Sequence, residues 1–387
     1  MTEGAGHPAN SSIRRRVLLI SRNFPPLKGG MERLNCRMAS AIAKVAELNM
    51  VGPRGAGAAL QGLGSIREVP LRPLWRFFLG AFGAAGWSAI TVRPELTVAG
   101  SGLCAPFAWM AARLSRGRYA VYVHGLDVIA RHWAYRAFWL PFIRRADICV
   151  ANSHNTARLC REVGVPGERT VIVHPGVELA DSVAADDVAA FRRRERWEGR
   201  PVLLSVGRLT ARKGMLEFVD KVFPRVIARH PRVLLVVMGN DAPDALTGKG
   251  VRDALQALVE ERGLGEHIRM LGEVDDATLA LGYAAADVAV FPVRTIPGDV
   301  EGFGMVAVEA AAHGLPTVAY ATGGVPDAVK DGVSGYLVPA DDTVAFAGAI
   351  DRVLQQGKSS MSASSRTFAA GFDWSSFDGA LQKALGF

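Results

Sequence analysis

The sequence predicts an α/β protein made of two doubly wound, Rossmann-like domains. Three observations carry this. At 387 residues the chain is too long for one ordinary core. Its short apolar runs are near-continuous rather than alternating, which suits parallel strands covered on both faces. These runs alternate with longer helical patterns, in two sets separated by a charged stretch, so each set reads as repeated βα units.

In the first half the expected strands are 17–21, 47–51, 96–100, 120–124, 148–152 and 170–174. In the second half they are 202–206, 233–239, 268–272, 288–292, 316–320 and 335–339. Residues 1–15 read as a disordered tail, because "MTEGAGHPANSS" is small and polar and lacks the charged-then-apolar pattern of a leader. The first domain is expected over 16–180, a polar linker over 181–200 and the second domain over 201–371. The segment 372–387 reads as a last helix, capped by Asp373 or Ser375. "FFLGAFGAAGWSAITV" at 77–92 is uncharged but too short and too glycine-rich to span a bilayer, so it reads as a buried or interfacial helix.

Hydrophobic residues make up 49% and charged residues 21%, an ordinary globular balance. The net charge of +8 is uneven: residues 1–180 hold 23 Lys and Arg against 10 Asp and Glu, while the remainder holds 22 against 27. A basic first half points to an anionic partner, and lipid, a phosphorylated acceptor or nucleic acid all qualify on charge. Nucleic acid finds no support, since neither an RNA-binding aromatic motif nor zinc-finger spacing is present. Cys36, Cys104, Cys149 and Cys160 show no C-x-x-C spacing and read as reduced, mostly buried thiols of a cytoplasmic protein.

Open α/β sheets bind ligands beyond the carboxyl ends of their strands, so the chemistry is sought in the loops that follow them. After the first strand, Gly29-Gly30 lets backbone amides approach a ligand, and a helix expected from about Met31 points its N-terminus at the same place. After strand 202–206, Arg208 and Lys213 share a loop between Gly207 and Gly214; a guanidinium and an ammonium over a helix start suit a diphosphate. After strand 288–292, the loop carries Glu301, and a helix expected over 305–313 carries Glu309 on its second turn. The amides near Phe303, Gly304 and Met305 are helix-start donors, flanked by an acid on either side that can accept hydroxyl hydrogens. A sugar nucleotide offers that mixture of hydroxyls and diphosphate. His124 closes strand 120–124, and Asp127, three residues on, is either a cap or a partner of that histidine.

Together these pieces resemble the retaining glycosyltransferases of sequence family 4, with the GT-B fold. The matching segments are P-x-x-G-G-x-E at 26–32, HG-x-D at 124–127, N-S at 152–153, HPGVE at 174–178, GR-x4-KG at 207–214, E-x7-E at 301–309, GGVPDAV at 323–329 and DGVSGYLVP at 331–339. The resemblance spans about 16–380. It implies that the second domain binds a nucleotide-sugar donor, the first binds the acceptor, and the last helix returns to the first domain. It implies that Arg208 and Lys213 hold the donor diphosphate, helped by Gly29-Gly30 on closure, and that Glu309 accepts ribose hydroxyls. Glu301 and the amides after it, up to Met305 and Val306, would hold the hexose. His124 would touch the sugar near the reacting carbon, and Val274 would contact the base through its backbone. The family usually has Asn-Gly-Val-Asp where this chain has HPGVE, which leaves His174 and Glu178 without an assigned role. The loop "RTIPGDVEGFG" resembles that of bacterial mannosyltransferases acting on lipid-linked acceptors.

The expected reaction is transfer of a mannose-like or glucose-like hexose to a glycan or lipid-linked hydroxyl in cell-envelope synthesis, with the anomeric configuration kept. No D-x-D occurs, so no metal or other cofactor is expected. A two-carboxylate glycoside hydrolase would use Glu301 and Glu309 but leave Arg208 and Lys213 idle. An oxidoreductase lacks G-x-G-x-x-G after either domain's first strand. A non-catalytic two-lobed sugar- or nucleotide-binding protein is the remaining alternative. The aromatics and cations of "RHWAYRAFWLPFIRR" at 131–145 suit either an inner-membrane surface or packing on the sheet.

Overall fold

The computed structural model describes residues 14–180, 183–241 and 250–387. Most of the expected tail, 1–13, lies outside the described residues, as do 181–182 of the expected linker.

Among the described residues the strands form two sheets. The first holds β1 (Arg16–Ile20), β2 (Glu47–Pro53), β3 (Ser65–Val69), β4 (Leu96–Ala99), β5 (Arg118–Val123), β6 (Ile148–Ala151) and β7 (Thr170–Ile172), in the order β3-β2-β1-β4-β5-β6-β7. The second holds β8 (Val202–Val206), β9 (Leu234–Met238), β10 (Ile268–Gly272), β11 (Val288–Phe291), β12 (Thr317–Tyr320) and β13 (Gly335–Val338), in the order β10-β9-β8-β11-β12-β13. Neighbouring strands pair in parallel, as in β1 with β2 and β4, and β8 with β9 and β11. Both orders reverse direction once, between β1 and β4 and between β8 and β11. Those reversals are the switch points where doubly wound sheets open a crevice.

The chain forms two compact units. One comprises Met1–Tyr122, Arg145–Cys149 and Leu381–Phe387; the other comprises Val123–Arg144 and Val150–Ala380. In the first unit, Val17 to Ile20 of β1 are wholly buried. The chain end belongs here because Gln382 Nε2 donates to the Ala41 carbonyl (2.8 Å) and an Arg15 guanidinium nitrogen donates to the Gly386 carbonyl (2.8 Å). The inner edge of helix Leu74–Thr91 buries Phe77 edge-on to Phe107, 6.5 Å between centroids, on helix Ala105–Ser115. Strand β3 was not expected from the sequence. Its "SIREV" sits at the sheet edge with most residues exposed, so it lacks the apolar run that marks the other strands.

In the second unit, β8, β9 and β11 bury Leu203, Leu235 and Val290 against Phe218, Phe223 and Phe346 on one face. The opposite face packs Leu204, Val236 and Ala289 with Phe191 and Trp197. These two aromatics come from the stretch read as linker. Residues Ala185–Arg194 are helical, and Phe191 meets Trp197 edge-on at 5.0 Å. Arg192 pins this hairpin by donating to the carbonyls of Ala285 (2.6 Å) and Arg200 (2.6 Å). The surface charges of "FRRRERW" conceal the two core residues between them. Near the chain end, Asp373 Oδ1 accepts the Ser376 amide (2.8 Å), which makes Asp373 the cap of helix Trp374–Leu385. Gly176 of HPGVE is there for space, since a Cβ would fall 2.4 Å from the Trp374 ring.

Candidate functional site

The site is built on two neighbouring strands of the second unit, at its switch point. β8 is followed by Gly207, whose φ of +127° suits only glycine. The chain then passes exposed Arg208, makes a tight turn at Ala211–Lys213 and leaves through Gly214. Gly214 combines φ +71° with an approach so close that a Cβ would lie 2.0 Å from the Pro292 carbonyl oxygen. This glycine therefore presses the β8 loop onto the loop after β11.

That contact brings Arg212 and Lys213 to Asp299 and Glu301. Lys213 Nζ donates to Glu301 Oε2 at 2.8 Å and lies 4.6 Å above the Phe291 ring. Arg212 Nε donates to Asp299 at 3.0 Å, and its terminal nitrogen also donates to Glu301. The Lys213 and Glu301 side chains are only 17% and 12% exposed, so neither charge is solvated as at a surface. Burial alone would raise the Glu301 carboxyl, but the Lys213 and Arg212 charges overcome it and hold it at about 2. Burial lowers the Lys213 ammonium, partly opposed by Glu301. Burial would also lower Arg212, yet Glu301 and Asp299 raise it. Arg208 makes no ion pair among the described residues, though its charge is near enough to lower Lys213. The sequence pointed to Lys213 and Glu301 separately; it did not single out Arg212 or Asp299. The available signal was the match of adjacent cations at 212–213 with acids two apart at 299 and 301.

The loop past Glu301 is threaded through glycines. A Cβ on Gly302 would lie 2.4 Å from the His124 carbonyl oxygen and 2.6 Å from Asn152 Nδ2. Gly323 and Gly324 lie beneath it, where a Cβ would strike the Glu301 and Gly302 carbonyl oxygens at 2.6 and 2.0 Å; the Gly324 amide donates to Glu301 O (2.8 Å). So the GG of "GGVPDAV" is a seat for the acidic loop. His124 is brought to this loop through its backbone, and Asp127 accepts the His124 amide at 2.8 Å. Asp127 thus caps the turn.

Gly304 (φ +107°) then opens helix Met305–Ala312, placing Phe303, Gly304 and Met305 at its start as expected. Phe303 is buried against the His174 ring, 5.3 Å between centroids, while Met305 and Val306 are partly buried beside the same core. Glu309 lies on the second turn and accepts from Tyr283 Oη at 3.3 Å; the Tyr283 ring stacks on His313 at 4.8 Å. Val274 is half-buried just before Asp275, which caps helix Asp276–Ala285 through the Thr278 amide (2.7 Å). In the first unit, Gly29 precedes helix Gly30–Val45, and Glu32 of that helix accepts from Asn23 Nδ2 at 3.0 Å.

A second polar cluster was not foreseen. Asp327 Oδ2 accepts the His154 amide (2.7 Å), lies 2.9 Å from His154 Nδ1 and is 3.7 Å from His174 Nδ1. Among the described residues these three have metal-ligand chemistry, with ligand atoms within 4.8 Å of one another. Here they satisfy one another: Asp327 is shared by two donors from His154, and His174 Nδ1 faces the Asn152 carbonyl at 3.2 Å. Burial lowers His174. This gives the unusual HPGVE histidine a structural role.

Two family models match the chain: "Glycosyltransferase Family 4" over residues 28–181 and "Glycosyl transferases group 1" over 187–368. A D-inositol 3-phosphate glycosyltransferase of Geodermatophilus obscurus is 39% identical over 236 residues, 60% of this chain and 50% of that protein. A GDP-mannose-dependent alpha-(1-6)-phosphatidylinositol monomannoside mannosyltransferase of Mycolicibacterium smegmatis is 28% identical over 87% of this chain and 89% of its own length. The chain spans about half the length of the inositol-phosphate relatives it matches. Among solved structures, Anabaena HepE in complex with UDP-glucose superposes with a TM-score of 0.78 at 20% identity, covering 96% of this chain and 99% of that one. Sucrose-phosphate synthase from Thermosynechococcus elongatus gives 0.76 at 23%, covering 96% and 97%. With family models across both halves and these neighbours across the whole fold, the chain belongs to the family 4-like glycosyltransferases of GT-B fold.

Proposed function

We propose that this protein moves a mannose-like or glucose-like hexosyl group from a nucleoside diphosphate sugar to a hydroxyl of a glycan or lipid-linked acceptor, keeping the anomeric configuration. The observation that carries this reading is the buried Arg212–Lys213–Asp299–Glu301 cluster at the switch point, beside the start of helix Met305–Ala312. Relatives supply the substrate class: one carries GDP-mannose in its name and a structural neighbour was solved with UDP-glucose.

In the reaction the bond from the anomeric carbon to the diphosphate oxygen breaks and a bond to the acceptor oxygen forms. The acceptor proton passes to a phosphate oxygen of the leaving group, so no separate protein base is needed. Negative charge grows on the diphosphate. Lys213, Arg208 and the first-turn amides of the helix would stabilise it, and such preorganised electrostatics is often the largest catalytic contribution. Glu301 and Asp299 hold the cations in position. With Glu301 Oε2 occupied by both cations, Oε1 is the oxygen offered to a sugar hydroxyl. Glu309 would serve the ribose, the Val274 backbone the base, and His124 the hexose near its reacting carbon.

The Lys213 and Arg212 charges hold the Glu301 carboxyl well below the usual carboxylate range, which argues against its serving as the proton-donating acid of a hydrolase. The reading is tested by supplying GDP-mannose and UDP-glucose with candidate acceptors and recording the one-bond carbon–proton coupling at the anomeric centre of the product. An α-linked product from an α-linked donor supports it. An inverted product overturns retention, and sugar released from glycans without any nucleotide requirement overturns the transferase reading.

A further inference from the structure

Helix Leu74–Thr91 buries one edge and exposes an apolar stripe on the other. Trp75 (56% exposed), Leu79 (67%), Phe82 (57%) and Ile90 (63%) follow the spacing i, i+4, i+7, i+15, which is one face of a helix. Gly86 fills the remaining step at i+11, and a Cβ there would touch Met110 and Leu114 of helix Ala105–Ser115. Leu114 is itself 53% exposed, so the stripe runs on to that neighbour. A single exposed apolar residue calls for no explanation, but a contiguous row of five large ones marks an interaction surface.

The charges around the row are mostly positive, with Glu95 beside Arg93 and Arg116 the acidic exception. Helix Leu74–Thr91 contains no acidic residue and a single cation, Arg76, whose guanidinium lies 5.2 Å from the Trp75 ring. Exposed arginines flank it: Arg72 and Arg93 at the two ends, Arg113 and Arg116 beside Leu114. Arg67 lies 5.9 Å over the ring of Trp87, on the helix's other exposed flank. No helix among the described residues is long and apolar enough to cross a membrane. A stripe of aromatic and branched side chains fringed by arginines, on a helix that cannot span, is the pattern of an element lying in the headgroup plane. We propose that this face of the first unit docks on an anionic lipid bilayer, with Trp75, Leu79, Phe82 and Ile90 entering the interface and the arginines meeting phosphate headgroups. This surface differs from the 131–145 segment expected from the sequence. It stands independently of the donor and the reaction.

The test uses the full chain with phosphatidylcholine vesicles and with mixed phosphatidylcholine–phosphatidylglycerol vesicles. The protein is expected to sediment with the mixed vesicles and to leave the neutral ones in the supernatant. Leu79→Asp with Phe82→Asp should weaken partitioning on the order of a hundredfold. Arg76→Ala and Arg113→Ala should each weaken it about fivefold at low salt. These side chains are exposed, so the circular dichroism melt should not move. Independently of the double variant, brominated lipid should quench the native protein's tryptophan emission, and Trp75→Phe should remove most of that quenching. The proposal is overturned if the native protein ignores both vesicle types, or if quenching persists in Trp75→Phe. It is equally overturned if the native protein forms a dimer that Leu79→Asp with Phe82→Asp dissociates, without lipid binding.

Discussion

Replacing Glu301 with Gln removes the charge that holds Lys213 and Arg212 in place. The paired carboxyl lies at about 2 against an ordinary 4.5, and its side chain is only 12% exposed. That difference corresponds to about 3 kcal/mol of folding stability at neutral pH. Breaking a buried pair from one side costs on the order of 3–5 kcal/mol by a separate route, because the remaining cations stay buried without their partner. The two figures agree. For a unit of this size about 3 kcal/mol lowers the melting midpoint by roughly 6–12 °C. The sign with pH follows from the depressed folded value. The unfolded carboxyl takes up its proton first, so this contribution is complete above about pH 5 and declines as pH falls through 4.5 towards 2. Calorimetry of native and Glu301→Gln protein at pH 7.5 should show the drop, and the gap should narrow below pH 4.5. Lys213→Met with Glu301→Leu should cost less than the sum of the single changes, since it removes both charges together. A Glu301→Gln protein that melts within a degree of the native one at pH 7.5 would refute a buried, fully ionised pair.

Three further outcomes follow from the same geometry. Arg208→Ala and Lys213→Ala should each cut turnover by on the order of a hundredfold or more, measured as nucleoside diphosphate release; near-normal rates in both would remove them from the donor site. Gly302→Ala puts a methyl 2.4 Å from the His124 carbonyl, so it should lower stability by about 1–3 kcal/mol in urea unfolding and shift the loop that carries Glu301. Burial lowers His174 below its ordinary 6.5, so the unfolded state binds the proton more readily and stability should fall as pH drops below 6.5. His174→Asn should flatten that slope between pH 5 and 6.5, and an unchanged slope would show that another group is responsible.

Much of the fold was legible because parallel strands buried on both faces leave near-continuous apolar runs. Every run marked in the sequence became a strand, with no end shifted by more than two residues. What escaped was whatever lacked that signature. β3 is an exposed edge strand, and helix Ala185–Arg194 carries its core aromatics inside a charged stretch. The loops that carry the candidate residues were legible, but the pairings among them were not. Lys213 was assigned to the donor diphosphate and Glu301 to the hexose, yet the structure pairs them directly, because the loops after β8 and β11 are pressed together by Gly214. Such contacts across 88 residues of chain have no local signature. The same holds for His154, His174 and Asp327, which the fold gathers from three separate segments. Apart from Trp75, the apolar stripe of helix Leu74–Thr91 lay within the stretch 77–92 read as buried or interfacial, and only the burial of Phe77, Ala81 and Ala85 shows which edge faces inward.

The central claim is that the loops after β8 and β11 bind a nucleotide-sugar diphosphate through Lys213. Titration calorimetry of the native protein and Lys213→Ala with GDP-mannose and UDP-glucose tests it most directly, with a thermal scan at saturating donor as the control. One of the two donors should bind the native protein, and at about a hundred times its Kd it should add about 2.7 kcal/mol of stability. Lys213→Ala should lose that binding while remaining folded. Native protein that binds neither donor, or a Lys213→Ala variant that binds as tightly as the native one, would contradict the account.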